Sequence, residues 1–210
     1  MENNFLSNVF KWLFIGLLIT FASGYILYSS TTLLTLIFGY KLYIVAAILE
    51  IVIAIILSSR INNMSKTSAI ICYSSYAILT GITLASIFVV FSISSIIYIF
   101  LATSLVFGIF AFIGKTTNID LSKLSTYLVV GLVSVIILQI INMFLLNNSL
   151  NMISCIISLI VFIGFTAYDI QKITRYYHGN DNLAIYGAFE LYLDFINIFI
   201  DLINLFGKEK

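Results

Sequence analysis

Residues 183–206 read LAIYGAFELYLDFINIFIDLINLF, and the fold turns on how that stretch is understood. It is long and apolar enough to cross a bilayer, for which about 20 residues suffice, yet it carries Glu190, Asp194 and Asp201. An acid at the centre of a lone spanning helix costs about 2.5 to 3.5 kcal/mol on an insertion scale. The stretch can therefore span only if other helices shield it. Glu190, Asp194, Asn197 and Asp201 follow one another in steps of 4, 3 and 4, which puts them on one face of a helix. Leu191, Phe195, Ile198 and Leu202 occupy the remaining positions. A polar stripe on an apolar helix lines either water or a polar partner, and acids in particular favour a cation or proton path. The alternative is a stripe buried against other helices for packing specificity.

Upstream, the chain supplies that shield. Of its 210 residues 61% are hydrophobic and only 9% charged, and none is proline. A soluble domain carries about a quarter charged residues, so lipid is the solvent for most of this surface. Six further apolar segments precede the stretch: Trp12 to Tyr28, Leu42 to Ser59, Ser68 to Phe91, Ser95 to Gly114, Thr126 to Leu146 and Met152 to Gln171. With Leu183 to Phe206 they predict an all-α membrane protein of seven transmembrane helices. Residues 1–210 are then a single seven-span membrane domain with no room for a soluble one. Thr31 to Tyr40 is also apolar enough to lengthen the first span or to form a short interfacial piece, and the expectation is a loop. The first segment follows Lys11, is long and lacks a small-x-small cleavage pattern, so it reads as a retained span, with the mature chain beginning near Met1.

Lys and Arg in the loops set orientation. With the N-terminus in the cytoplasm, Lys11, Arg60, Lys66, Lys115, Lys123, Lys172 and Arg175 lie inside, against Lys41, Lys208 and Lys210 outside. That bias predicts N-in and C-out. A re-entrant seventh segment would instead return the tail to the cytoplasm. The net charge is +1 and the basic residues are scattered, which excludes a nucleic-acid patch. Cys72 and Cys155 sit in apolar runs and are expected to be buried small hydrophobes.

No catalytic residues are expected, and the chain is not read as an enzyme. Tyr168-Asp169 matches half of an intramembrane aspartyl protease signature, but Asp194 follows Tyr192-Leu193 instead of Gly-x-Gly. The proline-containing motif of those enzymes cannot occur here. Phe21-Ala22-Ser23-Gly24 lacks the first glycine of a rhomboid serine motif, and the only histidine, His178, falls in a loop. No metal-ligand spacing or phosphate-cradling loop is present.

The ionisable residues inside the spans carry the functional question. At about 1.5 Å per residue, Asp194 lies about 16 Å from Leu183, near the bilayer midplane, and Glu50 is at similar depth. Asp169 lies nearer the cytoplasmic end, three residues before Lys172. Two carboxylates brought together in a low-dielectric site cannot both ionise cheaply, so the pair retains one proton. Arg60, at the cytoplasmic mouth of the second span, has the reach to hold one of these carboxylates and is otherwise an interfacial anchor.

Two stretches resemble the transmembrane Bax inhibitor motif family, also called the Bax inhibitor-1 family, and its bacterial members. They are Gly164-Phe165-Thr166-Ala167-Tyr168-Asp169-Ile170-Gln171-Lys172 and Gly187-Ala188-Phe189-Glu190-Leu191-Tyr192-Leu193-Asp194-Phe195-Ile196-Asn197. Weaker matches run through Glu50, Ser59-Arg60-Ile61, Met64-Ser65, Gly81-Ile82-Thr83-Leu84, Gly114, Thr116-Thr117 and Asp120-Leu121-Ser122. The resemblance implies a bundle in which six helices, paired as three hairpins, surround a central seventh. It also implies a pH-sensitive calcium leak channel in the cytoplasmic membrane, with Asp169 and Asp194 as a di-aspartyl pH sensor and Arg60 as its latch. Glu50 matches the family's acid on the second span. Glu50, Glu190, Asn197 and Asp201 are the expected ion pathway. Glu190 departs from the family pattern, where small or polar residues are usual, and Asn204 stands where a basic residue often precedes the final Leu-x-Gly.

No resident cofactor is expected. Calcium is expected as the permeant ion, with at most a weak site at Glu50, Asp169 and Asp194. Because calcium prefers six to eight oxygens, such a site would need water and backbone carbonyls as well. The expected partners are membrane lipid, Ca²⁺ and H⁺. The resemblance leaves a second class open, a membrane interaction protein without transport of its own. Bacterial relatives are associated with modulating membrane-anchored proteases, and eukaryotic ones with restraining cell death.

Overall fold

A bilayer offers the backbone no hydrogen-bonding partners, so a chain of this composition must satisfy its amides within helices. The computed structural model describes residues 2–177 and 181–210, and among them it is helical with no strand. Seven long helices follow one another: α1 (Glu2–Ser29), α2 (Leu42–Arg60), α3 (Lys66–Val90), α4 (Ile93–Thr116), α5 (Leu124–Leu145), α6 (Asn148–Tyr176) and α7 (Asp181–Phe206). All seven are long and apolar enough to cross a membrane. The expected segments are all present, and most helices outrun them. α6, for example, extends from Asn148 to Tyr176 instead of ending at Gln171, because polar residues continue a helix through the headgroup region where hydropathy no longer marks it.

Thr31 to Tyr40, expected to be a loop, is helical instead. A turn over Thr31–Leu34 runs into a π-helical stretch over Thr35–Gly39. The Ser30 side chain accepts from the Leu33 N–H at 3.4 Å. Leu33 and Ile37 line an apolar cavity of about 520 Å³ together with Ile19, Ile26 and Ile78. Thr31, Thr32 and Thr35 line a separate, more polar cavity. The segment is thus amphipathic, and Lys41, in the left-handed region with φ 57°, turns the chain into α2.

The chain divides into two compact units. The first comprises Met1–Ser92, Tyr177–Tyr192 and Lys210, and within it α3 packs against both α1 and α2. The second comprises Ile93–Tyr176 and Leu193–Glu209, and there α6 packs against both α4 and α5. The two units divide α7 between them. In the first, Phe189 and Tyr192 meet the rings of Tyr73 and Tyr76 edge-on, with centroids 5.0 to 6.5 Å apart. In the second, Phe195 packs on Phe100 and Phe107 at 5.4 and 5.5 Å. α7 is the most buried helix: 67% of its spanning window is buried, against 11% in α2 and in α5.

Lipid tails are as apolar as leucine, so close approach, more than hydrophobic burial, holds such helices together. Gly24 of α1 and Gly81 of α3 meet backbone to backbone in the first unit, where a Cβ on Gly81 would lie 3.0 Å from the Gly24 nitrogen. In the second unit Gly114 of α4 lies on Ala167 of α6, and a Cβ there would come within 2.8 Å of the Ala167 Cα. Gly108, on the same helix, faces open space with nothing within 4 Å. Gly114→Val should therefore cost about 1–3 kcal/mol through overpacking and lower the unfolding midpoint in detergent, whereas Gly108→Ala should leave it unchanged or slightly raised. Equal losses in the two variants would remove the close contact as a determinant of the fold.

Candidate functional site: buried acids of the spans

Each acid inside a span needs a partner, and the partners distinguish the acids. Glu50 on α2 is half-buried in the first unit. Thr83 on α3 donates to its Oε1 at 2.9 Å, and Thr80, one turn earlier, donates to Oε2 at 3.4 Å. The i, i+3 spacing of the two threonines puts both hydroxyls on the same face of α3. Both carboxylate oxygens are thereby held by neutral donors. Thr80 belongs to a larger hydroxyl cluster, since Tyr192 on α7 also reaches it. Thr20 donates to the carbonyls of Gly16 and Ala77, each at 3.0 Å, and its hydroxyl lies 2.6 Å from that of Tyr192.

Along α7 the acidic stripe is not uniform. Glu190 and Asn197 are half-buried, whereas Asp194 and Asp201 are each 3% exposed. Glu190, in the first unit, accepts from the Tyr177 hydroxyl at 3.1 Å. Asn197 donates to the Leu193 carbonyl of its own helix at 2.8 Å. Asp194 and Asp201 belong to the second unit, together with Asp169 on α6. Asp169 is 7% exposed, and the Lys172 ammonium, one turn away, lies 3.9 Å from its Oδ1. Asp201 faces the Ser158 hydroxyl of α6. The two residues expected to form the sensor are thus both buried carboxylates of one unit.

Arg60 is exposed at the C-terminal end of α2, and within its own unit no carboxylate among the described residues lies at ion-pair distance from it. His178 falls outside the described residues. Cys72 is half-buried and Cys155 buried, both as free thiols. Among the described residues no group of three or more His, Cys, Asp or Glu side chains is placed to hold a metal ion. A calcium ion meeting these acids would draw most of its ligands from water and carbonyls.

Two buried amides complete the arrangement, and neither was assigned a role from the sequence. Gln171, two residues past Asp169, donates to the Ile119 carbonyl and accepts from the Leu121 N–H, both at 2.8 Å. It ties the α4–α5 connection to α6. Asn182, at the start of α7, donates to the Met64 carbonyl at 2.6 Å and ties the α2–α3 connection in the same way. Beside these ties the charges are exposed: Lys66 pairs with Asp181 at 2.6 Å, and Asp120 lies 4.0 Å from Arg175. The Ser122 N–H, bonded to Asp120, holds that carboxyl below its ordinary pKa. Hydroxyl pairs at i, i+3 or i, i+4 inside apolar runs, such as Thr80 with Thr83 and Ser154 with Ser158, are the sequence signal for such buried partners.

Comparison with known proteins places this geometry in context. The family model described as Inhibitor of apoptosis-promoting Bax1 matches residues 2–210. An uncharacterized protein of Borreliella burgdorferi is 33% identical, over 100% of this chain and 94% of its own length. The inner membrane protein YbhL of Escherichia coli K12 is 32% identical, over 98% of this chain and 92% of its own. An uncharacterized protein of Rickettsia prowazekii is 31% identical, over 98% and 90%.

The partners of Glu50 generate a direct test. Thr83→Val removes the shorter of its two hydrogen bonds without changing shape, and a carboxylate left short of a donor costs about 1–3 kcal/mol. The unfolding midpoint should fall in Thr83→Val and stay near wild type in Thr83→Ser, which keeps the hydroxyl. A midpoint unchanged by valine would mean that water, not Thr83, satisfies Glu50.

Proposed function

The chain belongs to the Bax inhibitor-1 family of membrane proteins, and on that premise we propose that it is a pH-sensitive cation leak channel with Ca²⁺ as the permeant ion. The observation that carries the reading is the set of Asp169, Asp194 and Asp201, three carboxylates almost fully buried within one unit of a membrane-spanning chain. Structural needs alone do not call for such a set. An intramembrane carboxylate is costly and persists where it binds, relays or conducts a cation. The proposed gate is protonation of the Asp169 and Asp194 pair. Losing the shared proton leaves two anions that must separate or take up a cation, and either response moves α6 against the second half of α7.

The same proposal places the chain in the cytoplasmic membrane, N-terminus inside and C-terminus outside. Support comes from the distribution of basic residues and from the printed name of YbhL, an inner membrane protein. Arg60 is the proposed latch. Glu50, Glu190, Asn197 and Asp201 are the proposed ion-contacting residues. The competing reading, an interaction protein that regulates a membrane-anchored protease or a stress response without transport, is an outcome of the test.

Purified protein in liposomes should conduct Ca²⁺ with a flux that depends on pH through a single midpoint. Asp169→Asn and Asp194→Asn should each abolish the pH response, even if their basal leaks differ, because the proton belongs to the pair. A single mutant that keeps the wild-type midpoint would sink the shared-proton gate, and liposomes without flux at any pH would favour the interaction protein. Arg60 is exposed, so Arg60→Ala should leave the unfolding midpoint within about 0.5 kcal/mol of wild type. If Arg60 is the latch, the same variant raises the basal leak. An unchanged leak would return it to the role of interfacial anchor.

A further inference from the structure

Asp201 carries a buried Oδ2 with no hydrogen-bond partner among the described residues. The residue is 3% exposed, lies five positions before the end of α7, and forms no ion pair with a Lys or Arg among the described residues. An unpaired carboxylate in a poorly hydrated interior is strongly destabilising. Something neutralises it.

The surrounding groups define what can do so. From α6, the Ser158 hydroxyl lies beside the Asp201 side chain, and Cys155 lies within electrostatic reach. Ser154, one turn before Ser158, is fully buried and donates its proton to the Asn151 carbonyl at 2.8 Å. Both hydroxyl oxygens carry lone pairs that a cation can use. One turn beyond Asp201, Asn204 is exposed, so the carboxylate lies one turn inside the accessible end of its helix. That end is the C-terminal, negative pole of α7, which favours a positive charge.

We propose that Asp201, with Ser158 beside it, forms a binding site for a single monovalent inorganic cation of the sodium class. The charge count selects the class. One carboxylate among neutral oxygens balances one positive charge, whereas a divalent ion would leave a net charge in the interior. The site does not depend on conduction, and it stands or falls separately from the channel reading.

The test uses the purified full chain in detergent at pH 8 and constant ionic strength, with choline chloride replaced stepwise by sodium chloride, then by potassium chloride. The wild-type unfolding midpoint should rise saturably by several degrees with one of the alkali cations over choline. Asp201→Asn should show no such rise, and in choline its midpoint should equal or exceed that of wild type, since the buried anion is gone. Ser158→Ala should keep the response with a half-saturating concentration about tenfold higher, the loss expected for one ligand oxygen. Gly108→Ala, on α4 of the same unit and facing open space, should respond as wild type does. A wild type indifferent to sodium and potassium, as a proton on Asp201 would produce, overturns the site, and so does a sodium or potassium response that survives Asp201→Asn or disappears in Gly108→Ala. Should Asp201→Asn fail to fold, an unshifted response in Ser158→Ala overturns it equally. A wild-type cation response without Ca²⁺ flux in liposomes would overturn the channel reading alone.

Discussion

Putting carboxylates on a helix that lipid cannot solvate is the constraint on which the rest of this structure depends. The last helix carries Glu190, Asp194 and Asp201 in an otherwise apolar stretch, and it is the most buried of the seven. Shielding those charges requires helices whose own surfaces are indifferent to lipid. The faces of α2 and α5, with Ile51, Ile55 and Val130 each about 60% exposed, meet that need. It also requires partners inside, supplied among the described residues by hydroxyls and by Lys172.

Adhesion follows from the same solvent. Apolar side chains gain nothing by leaving lipid for a helix interface, so contact is made where backbones can approach, at Gly24 with Gly81 and at Gly114 with Ala167. Aromatic residues of α7 then fix it against each unit separately, Tyr192 and Phe189 in the first and Phe195 in the second. Connections obey the rule as well. Gln171 and Asn182 each reach from a helix to the backbone of a neighbouring connection, satisfying carbonyls at the ends of helices where intrahelical bonds run out.

The helices were legible because hydropathy and length mark a span almost by themselves, and the two stretches around Asp169 and Asp194 carried the family resemblance. Legibility failed where local and tertiary chemistry compete. Thr31 to Tyr40 is short and apolar, a pattern that fits a loop, an extension of the first span or an interfacial piece alike, yet Leu33 and Ile37 have an apolar cavity to face, and the segment coils to satisfy its amides. The four polar positions of α7 share one helical face in projection, but periodicity says nothing of what stands opposite. Only packing separates the buried Asp194 and Asp201 from the half-buried Glu190 and Asn197. Partners such as Thr83 and Ser158 are hidden for the same reason, since a pair of hydroxyls in an apolar run marks a polar face without saying whether it bonds its own helix or another.

The chemistry of those partners divides the acids by how freely each can change charge. A hydroxyl serves either state of a carboxyl, donating to the anion and, after rotating, accepting from the acid. Glu50, between two threonines, and Glu190, under Tyr177, can therefore gain or lose a proton without losing their contacts. An ammonium has no lone pair to offer, so the Lys172 beside Asp169 favours the anion and is weakened as a partner when that acid is protonated. Protonation at Asp169 is thus coupled to the lysine one turn away, at the end of α6 that Gln171 ties to the α4–α5 connection. Under the proposed gate, a charge change there would act on a connection as well as on a side chain.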